Sequence, residues 1–146
     1  MIQPEELQAL ADALVQGGGE VDHRAAVSRA YYAAFHKARR LLRGLGFRVP
    51  HGDQAHAYLW LRLLNCGDAQ TELAGSNLNA LRRDRNFADY DVDLSLTQAT
   101  AARQVGTARL IIQQLDAAAL EPTRTNITDA MKLYENNVLK QVTWTP

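Results

Sequence analysis

Val21-Asp22-His23-Arg24-Ala25-Ala26-Val27-Ser28-Arg29-Ala30-Tyr31-Tyr32-Ala33-Ala34-Phe35-His36-Lys37-Ala38-Arg39-Arg40-Leu41-Leu42-Arg43 runs without a glycine or proline. Within and just beyond it, Val27, Tyr31, Ala34, Ala38, Leu41 and Leu45 keep one apolar stripe at helical spacing. The spacing predicts a long helix over about 21–43, stopped by Gly44 and Gly46. A helix of that length with one apolar face must bury it against other elements, and its neighbours in the sequence are also helical.

Upstream, Pro4 suits a first helical position and Glu5 and Glu6 suit the positive end of the helix dipole. Leu7, Leu10 and Leu14 then mark a first helix over about 4–15, ended by Gly17-Gly18-Gly19. Downstream, Tyr58-Leu59-Trp60-Leu61-Arg62-Leu63-Leu64 lies in a helix over about 53–65 whose near all-round apolarity predicts burial. A fourth helix after Gly67-Asp68 carries Leu73, Leu78, Leu81 and Phe87, with Gly75-Ser76-Asn77 weakening its early part.

Ser95-Leu96-Thr97-Gln98 reads as a capping box, with Leu94 and Ala99 as its staple, opening a fifth helix with Ala102, Val105, Ala108, Ile112, Leu115 and Ala119 on its core face. After Pro122, the residues Ile127, Met131, Tyr134, Val138 and Val142 predict a sixth amphipathic helix ending near Trp144. β-alternation is absent. The expected fold is all-α, an antiparallel bundle of four to five helices over 1–121 with an extra C-terminal helix or tail over 122–146. That tail belongs to the same domain or serves as a partner-binding appendage, its apolar face packed on a second copy or a partner.

Sixteen Lys+Arg balance sixteen Asp+Glu, so any attraction for nucleic acid has to come from a local patch. The lone Cys66 and the absence of a basic-then-apolar leader point to a cytoplasmic setting, and no apolar run reaches the ~18–20 residues of a membrane span. The glycines at 17–19 follow no strand and precede no Lys-Ser or Lys-Thr, which excludes a P-loop. No metal site and no cofactor are expected: His23, His36, His51 and His56 form no His-Glu-x-x-His pair, and Asp89, Asp91 and Asp93 lack the glycine and distal glutamate of a calcium loop.

Two segments carry candidate chemistry. On a helix, Ser28, Tyr32 and His36 share a face that continues into Arg39, Arg40 and Arg43. In Arg82-Arg83-Asp84-Arg85-Asn86-Phe87-Ala88-Asp89-Tyr90-Asp91, the side chains of Arg82, Arg85 and Asp89 align, as do those of Asn86 and Tyr90. Taken singly, each segment also reads as ordinary structure, with buried polar groups finding partners and surface ion pairs worth about 0–1 kcal/mol.

Together, Ser-Arg-x-Tyr-Tyr-Ala-x-Phe-His and Arg-x-x-Ala-Asp-Tyr-Asp resemble small stand-alone prokaryotic members of the HEPN family, over about 21–120. The resemblance implies a helical bundle that pairs as a homodimer. It also implies metal-independent endoribonuclease activity in toxin–antitoxin, abortive-infection or other antiviral defence systems, with a nucleotidyltransferase-type antitoxin as partner. In that family Arg is followed, after four to six residues, by His. Here Arg85-Asn86 matches the opening, Tyr90 stands where the first such histidine would be, and no histidine follows Arg85. A phenol, with a reference pKa of about 10, is a poor proton carrier at neutral pH beside an imidazole at about 6.5.

The resemblance therefore assigns Arg85, Asn86, Tyr90 and, as the substitute base, His36 to catalysis, with His51 and His56 ranked behind. Arg82, Arg83, Tyr32, Arg39 and Arg40 are assigned to RNA or nucleotide binding. Three readings stay open: an RNA-acting effector or toxin component with a degenerate motif, a non-catalytic subunit serving a nucleotidyltransferase or other defence protein, and a structural adaptor.

Overall fold

A computed structural model describes residues 1–146 as six helices: α1 Pro4–Val15, α2 Glu20–Leu45, α3 Gln54–Leu64, α4 Ala69–Tyr90, α5 Gln98–Ala118 and α6 Thr123–Tyr134, the last running into one π-helical turn, Glu135–Leu139. The only β-type pairing is an isolated bridge between Phe47 and Trp144. No helix is long and apolar enough to cross a membrane.

α2 is the hub. It packs on α1, α5 and α4, while α3 lies chiefly against α4. The stripe Val27, Tyr31, Ala34, Ala38, Leu41 and Leu45 is buried throughout, with Ala26 and Ala30 at full burial beside it. Alanines on this face let the neighbouring helices approach closely, so the core is made of many small contacts around Leu42, Leu59, Leu63, Leu78, Leu81 and Ile111.

Several local expectations are corrected by packing. α1 has its expected length but is rotated: Pro4, Gln8, Ala11 and Val15 are buried, whereas Leu10 is 46% exposed. Gln8 rather than a leucine faces inward because its amide donates to the Val105 carbonyl at 3.2 Å. α3 is buried on one side only, with Leu64 exposed and the charged Arg62 inside. The α5 cap is Thr97, not Ser95: its side chain accepts from Thr100 N at 3.2 Å, and Leu96 is the buried residue while Leu94 is 59% exposed. On α5 itself the buried positions are Ala101 and Ala118 rather than Ala102 and Ala119.

α4 is continuous through Gly75, where a Cβ would lie 2.7 Å from Leu64 N and 2.8 Å from Leu63 Cβ. The glycine thus marks the α3–α4 crossing, not a weak point of the helix.

The predicted sixth helix is too long. α6 buries Ile127 and Met131 against this chain's own core, but Val138 and Val142 are more than half exposed, and beyond the π turn the chain bends back at Lys140, which has a positive φ. A carboxylate stops the helix. Glu135, fully buried, contacts Arg62 at 2.8 Å and accepts from Thr143 N at 2.9 Å and Trp144 N at 3.2 Å. Trp144 Nε1 then donates to the Leu45 carbonyl at 2.8 Å, and Thr145 N to the Gly46 carbonyl at 2.9 Å. Gly46, at φ 107°, leaves room for that strap: a Cβ there would stand 2.7 Å from Trp144 Nε1. Residues 122–146 therefore pack on the bundle of the same chain.

Candidate functional site

α2 and α4 lie side by side, and the N-terminal residues that lead into α1 fold across their common edge, leaving a cleft of about 720 Å3. From α2 come Ser28, Arg29, Tyr32, His36, Arg39, Arg40 and Arg43; from α4 come Arg85 and Asp89. Met1, Ile2, Pro4 and Leu7 form the apolar wall, which is where the rotation of α1 sends Leu7. The cleft draws five of the chain's sixteen cationic side chains and one of its sixteen acidic ones. Overall neutrality thus conceals a strongly positive groove.

Arg85 is placed by its own helix. Its Nε is 2.9 Å from Asp89 Oδ2, one turn later, and Nη1 donates to Asn86 Oδ1 at 3.0 Å. Its guanidinium stands 5.1 Å from the Tyr32 ring centre and 5.8 Å from that of Tyr90. Asp89 is held in turn by Ser28, whose hydroxyl donates at 3.3 Å. The α4 end that carries both residues is fixed by Arg24, which donates to the Ala88 carbonyl at 2.9 Å and to those of Phe87 and Asp91 at 3.3 Å. A cation on the last carbonyls of a helix is a favourable cap.

His36 sits against Phe35 and Tyr32, with ring centres 5.1 and 6.2 Å away. Burial, then the charges of Arg39 and Arg40, pulls its pKa below the ordinary 6.5. At neutral pH it is an uncharged imidazole able to take up a proton. His51 lies at the rim with Nδ1 3.2 Å from Arg39 Nη2. Since arginine only donates, that nitrogen must carry the lone pair.

Behind Tyr32, His56 of α3 pairs through Nδ1 with the Tyr31 hydroxyl, and its ring is 4.9 Å from Phe35. Burial, then Arg82 and Arg85, lowers its pKa as well. Burial raises that of Tyr31, so this phenol stays protonated.

The sequence candidates divide accordingly. Arg85, His36, Tyr32, Arg39 and Arg40 come together in the cleft. Asn86 touches Arg85 from outside it, and Tyr90, 70% exposed at the end of α4, stands beside Arg85 without lining the groove. Arg82 acts on Tyr31 and His56 on the α3 side, and Arg83 is exposed. Arg29, the Ser28–Asp89 pairing and the N-terminal wall were not foreseen. The sequence spacing places Ser28 on the Tyr32 face of α2, and Arg29 was legible in principle, since it falls on the same face. The wall was not, because it depends on the rotation of α1. No group of three or more His, Cys, Asp or Glu is placed to hold a metal ion.

Fold and site define a helical-bundle protein with a cationic, histidine-bearing cleft between two core helices. A family model described as the HEPN domain matches residues 6–117, most of the chain, and the chain therefore belongs to the HEPN family. The match covers α1 from Glu6 on and all but the last residue of α5; it includes the α2 and α4 residues of the cleft and Leu7 of its apolar wall, but not Met1, Ile2 or Pro4. No curated protein and no solved structure shows a significant match.

Proposed function

We propose that this protein is an RNA-acting effector of the toxin or defence type, and that the cleft is where a phosphodiester is held. The observation that carries the reading is the convergence of Arg85 and a neutral His36 on the Tyr32 ring in one cleft. Arg85 and its neighbours neutralise the phosphate in bidentate fashion. His36 takes the proton of the ribose 2′-hydroxyl as that oxygen attacks phosphorus, the P–O5′ bond breaks, and the departing 5′-oxygen takes a proton from water while His36 gives its own back to solvent, leaving a 2′,3′-cyclic phosphate end.

Two observations favour a second reading, a non-catalytic subunit that binds a nucleotidyltransferase or other defence protein. Asp89 already occupies one edge of Arg85, and α4 presents Tyr90 outside the groove where the family places its histidine. On either reading cleavage by the purified protein is weak.

The test is cleavage of one structured RNA with metal chelated, comparing Arg85→Ala, His36→Ala and Tyr90→Phe. Residual activity should fall by about 10²–10³-fold in Arg85→Ala and by about 10²-fold or more in His36→Ala, and should change little in Tyr90→Phe. The acid limb of the pH profile should lie below 6.5, where burial and Arg39 and Arg40 place the imidazole. Strong cleavage that survives Arg85→Ala would remove this mechanism, and loss in Tyr90→Phe alone would give the tyrosine the histidine's role.

A further inference from the structure

The positive charge of the cleft does not surround Arg85; it runs away from it. Arg85 and Asp89 meet α2 at the level of Ser28 and Tyr32. From Arg29 the same α2 face continues through His36, Arg39 and Arg40 to Arg43, a span of 14 residues or about 21 Å at 1.5 Å per residue. Arg29 and Arg43 have no carboxylate partner, and the one acid of the groove is committed to Arg85. The arginines toward the two ends suit backbone phosphates, and Tyr32 and His36 between them offer rings on which bases can stack.

We infer that the α2 face of the cleft is a track for single-stranded RNA, with Arg85 holding a phosphate at one end and Arg39 and Arg43 holding the phosphates on one side of it, while Arg40 is engaged by the Ile2 carbonyl and the Gln3 side chain. This rests on the reading of Arg85 as a phosphate-holding group. At no less than ~3.4 Å between successive phosphates of one strand, 21 Å accommodates about three to six nucleotides. The charges form one line in a groove walled by α4 and by Ile2 and Leu7. A duplex presents its phosphates on a convex cylinder and cannot lower one strand into such a groove.

The experiment is fluorescence anisotropy with 2′-O-methyl oligouridylates of two and six nucleotides, which cannot be cleaved, over a range of salt. The six-nucleotide strand should bind more tightly than the two-nucleotide one and than a blunt duplex. Arg43→Gln should weaken the longer strand several-fold, flatten its log–log salt slope by about 0.7, and leave the shorter one unchanged. Arg85→Ala should weaken both.

If Arg85→Ala weakens both while Arg43→Gln changes neither, the track is wrong and the Arg85 site stands. If Arg85→Ala changes neither, the phosphate-holding reading falls and the track with it. A hexaglutamate peptide that displaces the longer strand as well as unlabelled strand does would show a general anion groove and overturn the proposal.

Discussion

Arg85 is held in place by a carboxylate on its own helix, and Arg62 by one 73 residues away. The first pairing is written in the spacing Arg85–Asp89, one helical turn. The second could not be read from the sequence, because nothing local in Tyr58-Leu59-Trp60-Leu61-Arg62 announces that its arginine will be sealed against Glu135. The same limit applies to the cleft: the shared face of Ser28, Tyr32 and His36 follows from periodicity, but their meeting with Asp89 and Arg85 depends on how α2 crosses α4. Because both partners of the Arg62–Glu135 pair are almost wholly buried, Glu135→Gln leaves a cation without its counter-charge. Stability should drop by about 3–5 kcal/mol, read as a lower urea midpoint, and an unchanged midpoint would mean that the pair is not formed.

At the level of elements, helix existence was legible almost everywhere and helix rotation was not. α1, α2 and α3 fall within a few residues of the expected spans, since Pro4, Gly17, Gly44 and Gly46 punctuate them plainly. The inward face of α1 was misread because three leucines outweigh one glutamine on any hydropathy count, whereas the bundle satisfies Gln8 through the Val105 carbonyl and turns Leu7 toward the groove. α6 was overextended for a related reason: Val138 and Val142 continue the period, but Glu135 recruits Thr143 and Trp144 and folds the chain back.

Gly75 gives the crossing of α3 and α4 its closeness. Gly75→Ala gains about 1 kcal/mol of helix propensity, but its methyl would collide with the backbone of Leu64. The two helices must separate, at about 1–3 kcal/mol. The variant should therefore melt below the wild type, and a raised melting temperature would show that the crossing is looser than described.

For the whole molecule, the all-α bundle followed from the run of amphipathic segments, while its assembly rests on surfaces. Tyr90, Val92 and Leu94 form an exposed apolar edge, 59–70% accessible, that starts at the last residue of α4, where Tyr90 stands beside Arg85. A second copy covering that edge would bring two clefts near one another, in keeping with a homodimer. Light scattering at micromolar concentration should return twice the chain mass of 16.2 kDa, and Leu94→Asp should shift it toward the single value. A monomeric wild type would set that arrangement aside.

The most direct check on the cleft itself is nuclear magnetic resonance of the histidine rings and arginine Nε groups during titration with a short single-stranded RNA. His23 provides the control, since it is buried away from the groove with Nε2 3.0 Å from the Gly17 carbonyl. The resonances of His36 and Arg85 should move together and saturate at a common concentration while His23 stays in place. Saturating shifts elsewhere on the chain, with His36 and Arg85 unmoved, would contradict the assignment of the α2–α4 cleft as the RNA site.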